Sequence, residues 1–254
     1  MSTVLEAAQL RVAVPGRVLI DAFDCTIRAG EFMALLGGNG AGKSLLLRTL
    51  AGLRAPTAGT VRLDGHDIAT VGRREIAMRL GFLPQDPDAA PQGSLRENVL
   101  LGRFAHLGFW EAAGTADTQR VARALAEVGL EAFADRELGT LSGGEQRRAS
   151  IARLLVQAPS IYLLDEPTNH LDPAQQIGIL DNLRRLTRDG AAVIASLHEP
   201  NLALRYADRA CLLLGNGESE LVGCASLATG HLDRLYGIRY VETRLGQQRF
   251  MAPG

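Results

Sequence analysis

Lysine is almost missing from this chain. Of its 27 basic residues, 26 are arginines and one is Lys43. A surplus of either charge is missing as well. The 27 basic and 28 acidic residues leave a net charge of −1, which excludes a global field drawing the protein onto nucleic acid or anionic lipid. Cysteines number three, Cys25, Cys211 and Cys224, widely spaced and without a C-x-x-C pair. That argues against a disulfide framework and predicts reduced thiols buried as small apolar groups in a cytosolic protein. Long apolar runs are absent. The longest, residues 32–36 and 191–197, fall far short of the roughly 20 residues that span a bilayer. Residues 1–6 carry neither a basic cluster nor an apolar stretch of signal-peptide length, so the expectation is a protein that meets a membrane from outside the lipid. There is no heptad repeat, internal duplication or low-complexity tract.

What the chain does have is ordinary globular composition, 46% hydrophobic and 22% charged over 254 residues. That suffices to bury a full core in one large domain or two closely joined lobes. Short apolar runs predict buried strands at 31–36, 161–164 and 191–197, the last ending at His198. A further run at 210–214 meets Asn216-Gly217 and then 219–222, the pattern of a hairpin. Helices are expected between them. One covers 42–51 and is closed by Gly52. Another opens at Ser142, which forms a capping box with Glu145, and continues to Gln157. A third runs from the Asp172-Pro173 N-cap to about Arg188. Strand–helix alternation predicts an α/β fold with a mostly parallel sheet and helices on its faces. Residues 86–141 differ in texture, first rich in proline, glycine and polar residues and then in alanine and leucine at helical spacing. They predict an inserted helical lobe bounded by Gln85 and by Leu141-Ser142.

The single lysine stands in Gly37-Gly38-Asn39-Gly40-Ala41-Gly42-Lys43-Ser44, which spells G-x-x-x-x-G-K-S between a predicted strand and a predicted helix. Backbone N–H groups of such a loop, with the positive end of the helix, cradle phosphate. A compact ammonium fits between phosphate oxygens where a planar guanidinium would be too wide, a physical reason for lysine here and arginine everywhere else. Lys43 is expected to bridge the terminal phosphates and Ser44 to offer its hydroxyl to Mg²⁺. Asp165, at a strand's end, suits a hold on the same Mg²⁺. Glu166, one residue on, can take a proton from an attacking water, a role typically worth ~10²–10⁴ in rate. His198 ends a neighbouring strand, within reach of a γ-phosphate. Leu141-Ser142-Gly143-Gly144-Glu145 is a second glycine-rich helix entry with anion-binding shape, or simply an N-cap. His170 has no second ligand at ligand spacing, and a metal role is rejected for it.

These elements occur in the order phosphate loop (37–44), Gln85, L-S-G-G signature (141–145), apolar strand with Asp-Glu (161–166), Leu171-Asp172 and His198. In that order the chain resembles the nucleotide-binding subunit of ATP-binding-cassette (ABC) transporters along essentially its whole length. The resemblance implies the P-loop ABC-ATPase fold: a mostly parallel sheet core, an N-terminal antiparallel β region and an inserted helical subdomain. Residues 1–254 would form one domain, with 1–85 and 160–254 as a RecA-like core plus β subdomain and about 86–159 as the helical subdomain. ATP and Mg²⁺ are the implied cofactors. Gly37, Gly38, Asn39, Gly40, Ala41, Gly42, Lys43, Ser44 and Leu45 would cradle the nucleotide. Ser44, Gln85 and Asp165 would hold the metal, and Lys43, Gln85, Glu166 and His198 would serve catalysis. Ser142, Gly143 and Gly144 would clamp the γ-phosphate bound to an opposite copy, with Asp172 communicating across that interface. The implied partners are a second copy, transmembrane permease subunits at the cytoplasmic face of the cell membrane and, for an importer, an external binding protein. No nucleic acid is expected.

Two positions depart from the family pattern. Val14 stands where an aromatic usually stacks on adenine, so weaker ATP binding and looser purine discrimination are expected; base stacking is worth ~1–3 kcal/mol in nucleic-acid settings. Gly38 stands where proline is more common, with little effect expected. Residues 101–108 and 201–208 resemble the ATPases of iron–siderophore, haem and cobalamin importers, although Glu199 stands where that group often has aspartate. The lobe near 87–110, with Phe109 and Trp110, would then form a groove for a coupling helix of the permease, or the two aromatics would simply pack in the core. The alternatives are another importer or exporter class, a soluble ABC ATPase acting on ribosomes or DNA, or a phosphate-loop kinase or pure nucleotide-binding regulator. A kinase would lack the signature before the Asp-Glu strand. A soluble ABC ATPase would normally add a second cassette or a long coiled coil.

Overall fold

A computed structural model describes residues 4–85, 93–108, 111–246 and 248–254. The chain begins with a hairpin of β1 (Leu5–Val14) and β2 (Arg17–Ile27), and β3 (Phe32–Gly37) then leads into α1 (Lys43–Leu50). Next come β4 (Ala58–Leu63), β5 (His66–Asp67), α2 (Arg73–Arg79) and β6 (Leu80–Leu83). Three helices follow with no described strand between them: α3 (Leu95–Leu100), α4 (Thr115–Glu127) and α5 (Gly143–Gln157). Alternation resumes with β7 (Ile161–Leu164), α6 (Pro173–Arg188), β8 (Ala192–Ser196), α7 (Pro200–Tyr206), β9 (Arg209–Leu213) and β10 (Ser219–Gly223). Helix α8 (Thr229–Tyr236) and a hairpin of β11 (Tyr240–Leu245) and β12 (Gln248–Pro253) end the chain.

The central sheet has the order β10-β9-β3-β8-β7-β6, parallel throughout except for β10 at one edge. Every residue of β3, β7 and β8 is buried, as continuous apolar strands covered on both faces require. The two-residue period of β3 divides the core. Phe32, Ala34 and Leu36 pack with Leu95, Val121, Ile151 and Leu180 of the flanking helices. Met33 and Leu35 pack on the other face with Leu46 and Leu50 of α1 and with Leu10, Phe23 and Val61 of a second sheet. That second sheet is antiparallel, in the order β2-β1-β4-β5, and is the N-terminal β region the resemblance implies.

Helices α3 and α5 carry the Ser-x-x-Glu capping boxes, Ser94 with Glu97 and Ser142 with Glu145. The lobe closes tightly on α5 at Gly102, where an added Cβ would lie 2.3 Å from the Arg153 carbonyl oxygen, so only glycine fits. Residues 87–92 of the expected permease-facing lobe, together with Phe109 and Trp110, lie outside the described residues. The expected hairpin between β9 and β10 forms, but through a wider loop than a two-residue turn. The Leu214 N–H reaches Glu218, and Asn216 Oδ1 accepts the Glu218 N–H. The C-terminal hairpin has no sequence signal comparable to the central strands, because β11 is largely exposed and polar. It is fastened by Met251, which enters the core and exchanges two backbone bonds with the Asn201 side chain.

Candidate active site

Three features of the local chain shape the phosphate loop. Gly37 ends β3 against β9, and a Cβ there would come within 2.8 Å of the Leu213 carbonyl oxygen. Gly40 and Gly42 have φ values of 73° and 102°, the left-handed region that other residues enter only at a cost. Helix α1 then starts at Lys43 with no side-chain cap and no acid in its first turn, which leaves its N–H groups and positive end open to an anion. Lys43 is buried, and its ammonium donates to the Gly37 and Gly38 carbonyls at 2.7 and 3.2 Å. Burial pushes its pKa down, while the carboxylates of Glu166 and Asp165 pull the other way.

Across the sheet's C-terminal edge, β7 delivers Asp165 and Glu166 and β8 delivers His198. Asp165 is almost fully buried and accepts a hydrogen bond from the Ser196 hydroxyl at 2.8 Å. The same hydroxyl accepts the Glu166 N–H at 2.7 Å, so Ser196 ties the two acids together. The Glu166 carboxylate collects three donors: His198 Nε2 at 2.7 Å on Oε1, and Gln85 Nε2 and Asn169 Nδ2 at 3.1 and 3.2 Å on Oε2. A cleft of about 460 Å³ brings together Asn39, Gly40, Ala41, Gly42, Lys43, Ser44 and Leu45 with Gln85, Glu166, His198 and Leu19.

Other expected residues lie elsewhere. Val14 is not among the lining residues. It sits where β1 turns into β2 at Pro15-Gly16, paired with Arg17, and Leu19 is the residue of that hairpin that lines the cleft. Ser142, Gly143, Gly144 and Asp172 do not line this chain's own cleft. Ser142 caps α5, and Asp172 caps α6 by accepting the Gln175 N–H. The two helix starts lie side by side, with an ideal Cβ on Gly144 falling 3.1 Å from the His170 carbonyl oxygen. Sequence reasoning missed Ser196, Asn169 and Arg147. A serine inside the apolar run 191–197 was a readable signal, as was an arginine on the same α5 stripe as Ile151 and Leu154.

The ABC transporter family profile matches residues 20–169, which hold the loop, Gln85, the signature and the Asp-Glu pair. The chain belongs to that family. It is a cassette that binds ATP, and an ATPase. The cassette is 44% identical over 223 residues to the hemin import ATP-binding protein HmuV of Rhodopseudomonas palustris, covering 85% of this chain and 81% of that protein. It is 39% identical to the achromobactin transport ATP-binding protein CbrD of Dickeya dadantii, over 81% and 77% of the two chains. Among solved structures it superimposes on an inward-facing ABC transporter of metal-chelate type with a TM-score of 0.83, at 26% identity over 99% of this chain and 97% of that one. The dimeric ABC transporter cassette MJ0796 gives a TM-score of 0.78 at 28% identity, covering 88% of this chain and all of that one. A post-hydrolysis dimer of MJ0796 bound to ADP and Pi gives 0.77.

Proposed function

We propose that this cassette powers an importer of an iron chelate, with hemin and siderophores as the cargo class, from the cytoplasmic face of a membrane. The observation that carries the hydrolytic part is one cleft holding Lys43 on one wall and a Glu166 carboxylate aimed by His198, Gln85 and Asn169 on the other. The phosphate chain of ATP lies along residues 39–45, with the Lys43 ammonium exchanging its two loop carbonyls for phosphate oxygens. Water attacks the γ-phosphorus, Glu166 takes its proton, and the bond to the ADP oxygen breaks with its charge met by Lys43 and the α1 N-terminus. His198 and Gln85 keep the carboxylate pointed at the water. The Ser44 hydroxyl and the Asp165 carboxylate offer only oxygens, and the Gln85 amide nitrogen is committed to Glu166, leaving its carbonyl oxygen as acceptor. An all-oxygen set of this kind fits Mg²⁺, which when bound neutralises phosphate charge.

The site becomes complete with a second copy, whose Ser142, Gly143 and Gly144 close over the γ-phosphate while Asp172 joins the two sites. The identities to hemin and siderophore import ATPases, and the fit to dimeric cassettes, support this reading. No described helix is long and apolar enough to cross a membrane, so the membrane-embedded part is assigned to permease subunits. Their docking place is a groove of about 860 Å³ beside α2 and α5, with Phe104 and Leu101 on its wall at 79% and 48% exposure and Arg73 and Arg74 alongside. Such an apolar, cation-rimmed groove suits a helix carrying apolar and acidic residues.

Co-purification from the native membrane tests the assignment. A multi-span permease should accompany the cassette, and Phe104→Asp should release it while nucleotide binding persists. Ribosomes or DNA in its place would overturn the transport reading. Leu19, which lines the cleft, and Val14, at the β1–β2 turn, are both aliphatic, which leads to a further expectation. Val14→Tyr should tighten ATP binding about tenfold or more and sharpen selection against other purine nucleotides, given ~1–3 kcal/mol for stacking. Nucleotide titration checks this, and an unchanged affinity rejects it.

A further inference from the structure

Arg147 lies in α5 little more than one turn beyond Ser142, buried at 4% exposure. Its guanidinium spans the two loops that bring reactive groups to the cleft. Nη1 donates to the carbonyls of Pro84 and, at 3.1 Å, Gln85. Nη2 donates to the carbonyls of Asp165 and, at 2.8 Å, Glu166. A rigid planar fork with charged donors is suited to holding carbonyls that belong to separate segments, and such bonds are about twice as strong as neutral ones. The grip falls where the backbone is under strain: Glu166 has φ near 50°, in the left-handed region where residues with a Cβ are uncommon. Fixing the Glu166 carbonyl fixes the orientation of that peptide and thereby the aim of its carboxylate.

We propose that Arg147 is a positioning residue that couples the signature end of α5 to the Gln85–Glu166 pair of the same chain. Closure of Ser142, Gly143 and Gly144 on a partner's nucleotide then reaches this chain's own base through one side chain. Arg147 touches no substrate and acts only through the loops it grips. The inference rests on the reading of Glu166 as general base and of the signature as a clamp on the opposite nucleotide.

The test compares Arg147→Lys, Arg147→Met and Glu166→Gln in the full chain. Lysine keeps the charge but has one nitrogen, which cannot span both loops. Arg147→Met should lower kcat about 10- to 100-fold, as a small misplacement of a reacting group does, while KM and nucleotide affinity stay within about twofold. Its cooperativity in ATP should fall toward unity, with Arg147→Lys intermediate. Thermal unfolding and nucleotide titration report whether each variant is folded, and Arg147→Lys decides the matter if Arg147→Met does not fold. Wild-type turnover and cooperativity in the Arg147 variants beside an inactive Glu166→Gln would overturn the proposal alone. Parallel loss of kcat and nucleotide affinity would also overturn it, leaving Arg147 a purely structural role. Normal turnover by Glu166→Gln would overturn the base assignment, and the proposal with it.

Discussion

Glu166→Gln should abolish ATP hydrolysis and leave ATP binding intact. Glutamine keeps the shape of the side chain: its one carbonyl oxygen can still accept from Gln85 and Asn169, while its amide nitrogen faces the His198 ring nitrogen, which accepts when neutral. What it loses is the ability to take a proton from water. General-base catalysis is typically worth ~10²–10⁴ in rate, so turnover should fall by at least that factor. Nothing in the substitution touches residues 39–45, which line the other wall and would carry the phosphates. Steady-state turnover together with nucleotide titration separates the two effects. Turnover within a few-fold of wild type would remove Glu166 from the role of base.

Lys43→Ala should cost binding itself. In the structure the ammonium is buried and spends its donors on the Gly37 and Gly38 carbonyls, a geometry that phosphate oxygens would take over. A hydrogen bond involving a charged group contributes about 1.5–3 kcal/mol, so losing two lowers ATP affinity by about 10²-fold or more. Lys43→Arg keeps the charge and should fail nearly as badly, because a guanidinium cannot enter a loop whose carbonyls close within 2.7–3.2 Å of a single nitrogen. That result would account for the single lysine in a chain of 26 arginines. As Lys43 is the only side-chain amine, amine labelling follows its occupancy directly: Mg-ATP should block the modification, and persistent labelling would mean that phosphate does not sit there.

Legibility followed how local the physics is. The loop, the Ser142–Glu145 capping box, the Asp172-Pro173 helix start and the apolar strands are each set by a few neighbouring residues, and the structure shows them within a residue or two of expectation. Gln85, Glu166 and His198 meet in one cleft because parallel strands present their C-terminal ends together, which the alternation of strand and helix already implied. Whether a side chain at Val14 reaches the nucleotide depends on where the β1–β2 turn falls relative to α1, a tertiary matter that the sequence does not carry locally. Arg147 and Ser196 went unread because their value lies in backbone groups that strand and helix packing bring to them from distant segments. The C-terminal hairpin escaped notice for the same reason: its anchor, Asn201 on Met251, joins residues far apart in sequence.

In the proposed reading, one copy of the cassette offers half of a site that a second copy must finish. The most direct measurement is the mass of Glu166→Gln by light scattering, with and without Mg-ATP. Because this variant should bind ATP without consuming it, its mass should be twice that of the monomer with Mg-ATP and that of the monomer without it, and the shift should be lost when Ser142 is also replaced by arginine. A mass that stays monomeric under saturating Mg-ATP, or doubles equally well with Ser142→Arg, would contradict it.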